Sequence, residues 1–144
     1  MTYDIVSERT GPSVRVTAPA DVYKLVERYK SKKQEFFLLI TLQSDNLPIR
    51  VRVVTIGLLD RTLVHPREIF SAALQDRAKC VILAHTHPSG NLSPSREDSD
   101  ATARLCRAGE LLGIPVVDHV IVGRRNPSYF SFREQGLLPS SSHY

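Results

Sequence analysis

The 144-residue chain has only two cysteines, Cys80 and Cys106. They lie far apart and belong to no CxxC pair, which excludes a disulfide framework and a thiolate zinc site. Cys80 opens the apolar run CVILA and Cys106 sits in the helical pattern LCRAGELL, so both read as buried free thiols. Long apolar runs are missing too: none approaches the roughly eighteen residues of a membrane span, so no membrane partner is expected. The stretch MTYDIVSERTGPS carries Asp4 and Glu8 and no apolar centre, which argues against a secretory signal. A cytoplasmic address is the default expectation. Repeats and low-complexity tracts are also lacking.

Excess charge is small. Nineteen Lys+Arg against fifteen Asp+Glu give a net +4 and a sequence pI near 9.3. Such a balance suits an anionic partner, but the basic residues are scattered. The densest stretch, KLVERYKSKK (24–33), includes Glu27 and reads as the solvated face of a helix.

What is present is an alternation of strand and helix patterns. ADVYKLVERYK (20–30) places Val22, Leu25, Val26 and Tyr29 on one helical face. EFFLLITL (35–42) and IRVRVVTIGLL (49–59), separated by SDNLP, read as a hairpin. Its second strand should be half-exposed, with Ile49, Val51 and Val53 opposite Arg50, Arg52 and Val54. Pro66 opens a helix with Ile69, Ala73 and Leu74 inward. CVILAH (80–85) lacks polar alternation, so it should be a central strand. After the loop THPSGNLSP (86–94), a helix runs from Ser95 to Leu112 with Ala101, Leu105, Ala108 and Leu112 inward, stopped by Gly113. PVVDHVIVG (115–123) and YFSF (129–132) complete an α/β chain with a mixed β-sheet flanked by helices.

Chemistry concentrates between His85 and Asp98. His85 and His87, two apart at a strand end, project to one face and can converge on one ion. The loop then reverses the chain and delivers Asp98 in the first turn of the next helix. Two imidazoles and a carboxylate leave a fourth tetrahedral position open, as in catalytic zinc, which makes hydroxide available near neutral pH. A plainer account exists for each residue singly. Ser95-x-x-Asp98 is also a capping box, and two histidines can hydrogen-bond loop carbonyls. The same ligand set would also serve a two-His-one-carboxylate Fe(II) site.

The spacing His85-x-His87, seven residues, Ser95, two residues, Asp98 resembles the H-x-H-x7-S-x2-D signature of the JAMM (JAB/MPN) metalloproteases. HPREIF (65–70), ILAHTHPSGNLSPSRED (82–98), LLGIPVVDHVIVG (111–123) and YFSFREQGLL (129–138) are similar to the RadC-like branch of that family. The resemblance covers residues 18–138, after a lead-in (1–17) and before a tail (139–144). It implies a three-layer α/β/α fold and one catalytic Zn2+ held by His85, His87 and Asp98. Glu35, otherwise an ordinary strand-edge charge, matches the family's general base toward the water that the metal activates. Ser95 matches the serine that steadies the oxyanion, and it can cap its helix as well. Asp118 and His119 are candidates to accept the other N–H of a metal-bound imidazole, but a buried strand's polar edge is the commoner fate of such a pair, and they stay outside the site.

The resemblance thus implies a zinc-dependent hydrolase of amide bonds acting on a peptide or protein. The alternative is a nucleic-acid-associated, DNA-repair-type module with a structural or vestigial metal. Many RadC-like proteins carry an N-terminal helix-hairpin-helix region, for which seventeen residues are too few, and this weakens the alternative. Leu58 follows Gly57 where relatives often have Thr; the sequence does not explain that difference.

Overall fold

The computed structural model describes residues 7–9, 14–30, 33–56, 64–88, 90–124 and 128–139. Leu58, the end of the run 49–59 and residues 140–144 lie outside them. Among the described residues six strands form one mixed sheet: β1 (Ser7–Arg9), β2 (Phe36–Leu42), β3 (Pro48–Ile56), β4 (Cys80–His87), β5 (Val116–Gly123) and β6 (Tyr129–Ser131). Their spatial order is β1-β3-β2-β4-β5-β6, with β4 and β5 parallel and every other pair antiparallel. The helices are α1 (Pro19–Val26), continued by a 3-10 turn at Glu27–Tyr29, then α2 (Pro66–Gln75) and α3 (Arg96–Leu112).

Period-two alternation sorts the core onto two faces. Leu38, Ile40 and Leu42 of β2 join Ile82 and Ala84 of β4 under Val22, Tyr23 and Val26 of α1. Phe37, Leu39, Val81 and Leu83 face the other way, against Ile69 and Phe70 of α2 and Leu105 and Cys106 of α3. The architecture is therefore helix, sheet, helix. Strands β2, β4 and β5 are buried along almost their whole length, which is why they read as unbroken apolar runs. Both cysteines are buried free thiols. Burial pushes the Cys106 thiol up to about 11, so it is no thiolate at neutral pH.

Several details depart from the sequence pattern. Strand β1 lies inside the stretch that reads as a mere lead-in, and it covers the outer edge of β3. The register of β3 with β2 shifts at Thr41/Leu42 and at Phe37/Leu38, and at the first shift the expected alternation fails, because Ile49 turns away from Val51 and Val53. Ile49 and Val54 are the extra residues at these shifts. They pack on the α2 side while Val51 and Val53 pack on the α1 side. Nor is β3 half-exposed at Arg52, which is buried and bonds the Asp76 carboxylate through Nη2 at 2.6 Å and Nε at 2.9 Å. Leu74 and Leu112, expected inward, are 58% and 52% exposed; Phe70 and Gly109 take the buried positions instead.

Candidate metal centre

The centre is built where β4, the start of β2 and the first turn of α3 meet. Val81 and Leu83 face α3, so continuing their alternation brings His85 and His87 to that side. Both histidines lie within β4, which runs two residues beyond the apolar segment. The loop that follows turns at Gly90, whose φ of 83° is available to glycine without steric cost. It continues through an Asx turn in which Ser93 N donates to Asn91 Oδ1 at 3.0 Å. Ser95 then caps α3 reciprocally: Asp98 N donates to Ser95 Oγ at 3.0 Å, and Ser95 N donates to Asp98 Oδ2 at 2.8 Å. The capping box and the candidate ligand are thus one structure. One carboxylate oxygen is held by the cap, and the other, Oδ1, lies 3.8 Å from His85 Nε2.

Register brings in the fifth residue. Phe37 of β2 stands opposite His85 of β4 in an antiparallel pair, so Glu35 follows on opposite His87, on the same face. Glu35 Oε1 lies 4.0 Å from His87 Nε2, and its side chain is 25% exposed. The ligand atoms of His85, His87 and Asp98 all lie within 4.8 Å of one another. His85 and Asp98 are buried to within 1% and His87 is half-buried, so among the described residues the cluster opens to solvent on the His87 and Glu35 side.

The donor chemistry fits a cation. His87 Nδ1 faces the Asn91 carbonyl, which can only accept, so His87 carries its proton there. Its Nε2 then offers a lone pair, 2.7 Å from His85 Nε2. A tetrahedral zinc with bonds of about 2.0–2.1 Å sets its ligand atoms about 3.3–3.4 Å apart. The two rings need separate by less than about an ångström to match that spacing.

All five residues named from sequence therefore gather in one place. Two neighbours were left out: His119, set aside as a buried strand's polar edge, and Thr102, not singled out at all. His119 Nε2 lies 2.7 Å from His85 Nδ1, and Thr102 Oγ1 lies 2.6 Å from His119 Nδ1. A signal for them existed: Thr102 follows Asp98 by four residues on the same helix face, and His119 alternates with Asp118 on β5. Asp118 turns to the opposite side, where its carboxylate accepts from Ser131 Oγ at 2.6 Å, His119 N at 2.7 Å and Arg133 N at 3.0 Å.

Comparison with known proteins shows the family to which the chain belongs. The family model described as the RadC-like JAB domain matches residues 16–137. A UPF0758 protein of Rubrobacter xylanophilus is 44% identical over 124 residues, 85% of this chain and 53% of that protein. One from Clostridium kluyveri is 44% identical over 133 residues, 92% of this chain and 58% of its own length. One from Methanosarcina mazei is 40% identical over 128 residues, 88% and 55% respectively. The chain spans about half the length of these curated relatives.

Proposed function

Because the chain belongs to the RadC-like JAB domain family, we propose that it is a zinc-dependent hydrolase of amide bonds, peptide or isopeptide. One observation carries it: two imidazoles and a buried carboxylate converge within 4.8 Å, and Glu35 stands 4.0 Å from His87 beside the cluster's open side. His85, His87 and Asp98 would hold the ion, which supplies Lewis acidity and makes a water nucleophilic near neutral pH. Their set of two nitrogens and one oxygen suits zinc.

Glu35 is partly exposed and anchored by the strand that follows it, so it can reach a water at the cluster and accept its proton. The oxygen of that water adds to the scissile carbonyl, and the carbonyl electrons move onto its oxygen. Ser95 keeps its hydroxyl proton while its oxygen caps α3, so it can still donate to the developing oxyanion. Glu35 then returns the proton to the nitrogen as the C–N bond breaks, giving a carboxylic acid and an amine.

The test is Glu35→Gln, measured on a substrate found by a peptide-library cleavage screen. Metal content by elemental analysis of protein made without a histidine tag should be one zinc in both forms, with turnover lost in the variant by at least about a hundredfold. Turnover that survives the change would refute the role of Glu35. Iron in place of zinc, with oxygen chemistry, would refute the hydrolase.

A further inference from the structure

Behind the ligands, buried side chains form a chain that reaches from the Asp98 carbonyl to the ring of His85. Thr102 has a single hydroxyl proton and donates it to the Asp98 carbonyl at 2.7 Å. Its oxygen must therefore accept from His119 Nδ1, 2.6 Å away, so His119 is protonated on Nδ1. A neutral His119 then presents a lone pair at Nε2, 2.7 Å from His85 Nδ1. His85 can donate into that lone pair and leave its own Nε2 unprotonated once an ion stands between it and His87 Nε2; without one, one of these two nitrogens, 2.7 Å apart, must hold a proton. His85 Nε2 is the atom facing His87 Nε2 and Asp98 Oδ1.

Packing holds the rings in place. Phe132 stacks on His119 with centroids 4.6 Å apart and planes 6° from parallel, and Phe37 lies parallel to His85 at 6.1 Å. His85, Thr102 and His119 are each at most 1% exposed, so bulk water does not compete for these bonds. A metal-bound histidine usually donates its second nitrogen to a carbonyl or a carboxylate, both of which only accept. Here the partner is another histidine, which can face His85 as donor or acceptor. A third group is needed to decide between them, and the Thr102 hydroxyl occupies that place.

We propose that Thr102 and His119 are positioning residues that set the tautomer of His85 and so free its Nε2 to hold the ion. The proposal rests on the metal centre described under Proposed function. The opposite polarity, with Thr102 donating to His119, would place a proton on His85 Nε2, between the two rings. Zinc binding requires the polarity that ends on Asp98, so the helix turn that carries one ligand also sets the protonation of another.

The experiment combines zinc affinity, by competition with a chelating indicator, with nitrogen-15 spectra of the histidine side chains. Thr102→Val removes the hydroxyl at nearly constant shape and should weaken zinc binding about 10–100-fold. Thr102→Ser should bind as the parent does, and His119→Gln, which offers both an acceptor and a donor, should restore more affinity than His119→Phe. In the zinc-loaded parent, His85 and His119 should both be protonated on Nδ1. A His119 proton on Nε2 would overturn the relay even if the variants do not fold. So would parent-like affinity in a folded Thr102→Val protein. A parent that takes up no zinc would sink the metal centre and the relay with it, whereas a parent that binds zinc alongside indifferent variants would sink the relay alone.

Discussion

At the residue scale, a few side chains carry two tasks at once. Asp98 gives one oxygen to a helix cap and turns the other toward His85. Asp76 shows how charge is managed away from the centre. Burial by itself would raise its carboxyl, but hydrogen bonds from Arg52 and Thr41 and the charges of Arg52 and Arg50 together hold it below the ordinary value of 3.8. Arg52 and Asp76 side chains are only 10% and 3% exposed, so removing one partner strands the other. Asp76→Asn should destabilise the fold by about 3 kcal/mol near neutral pH, measured by urea unfolding. The sign with pH follows from the lowered value: the stabilisation is complete above the unfolded carboxyl's pKa and is lost as pH falls through the folded one. The gap between parent and variant should therefore shrink below about pH 4. A gap that held constant or widened in acid would contradict this account of Asp76.

At the scale of elements, α3 is governed by its two ends and by one close contact. Its start is the Ser95–Asp98 box, and its stop is Gly113 at φ 71°. Gly109 sits where α3 meets α2: a Cβ there would come within 2.5 Å of the Ile114 carbonyl oxygen and 3.2 Å of Phe70 Cζ. Alanine is the better helix former by about 1 kcal/mol, yet overpacking costs about 1–3 kcal/mol, and a backbone oxygen cannot rotate aside. Gly109→Ala should accordingly lower stability by about 1–2 kcal/mol in thermal or urea unfolding. An unchanged or more stable variant would mean that the contact relaxes freely.

For the molecule as a whole, the sheet is the device that gathers distant residues, with the helices as its covers. No helix among the described residues is long and apolar enough to cross a membrane. Modest positive charge is one of the two supports for the nucleic-acid alternative, beside the RadC-like resemblance, and two of the arginines behind it, Arg50 and Arg52, are engaged by Asp76. An ion held at the centre would tie β4 to α3, so zinc should stabilise the folded protein over the unfolded chain. At a free concentration about 100 times Kd the gain is about 2.7 kcal/mol, which in a chain of this size raises Tm by roughly 5–10 °C. His87→Ala should abolish that rise. Equal shifts in parent and variant would place the ion elsewhere.

How much of this was legible without coordinates depends on how local the signal was. The meeting of His85, His87 and Asp98, the capping box, the buried central strands and the α3 stop were readable because period two, period 3.6 and cap chemistry act within a few residues. Glu35 was nameable only through family resemblance, since its place beside His87 follows from the pairing of β2 with β4 across some fifty residues of chain. The turning of Ile49, the exposure of Leu74 and Leu112, and the pairing of β1 were decided by register and by which neighbour covers each face. The His119–Thr102 contact belongs to that second class too. Alternation told which side of β5 carries His119, but only the packing of α3 onto the sheet put a hydroxyl there to meet it.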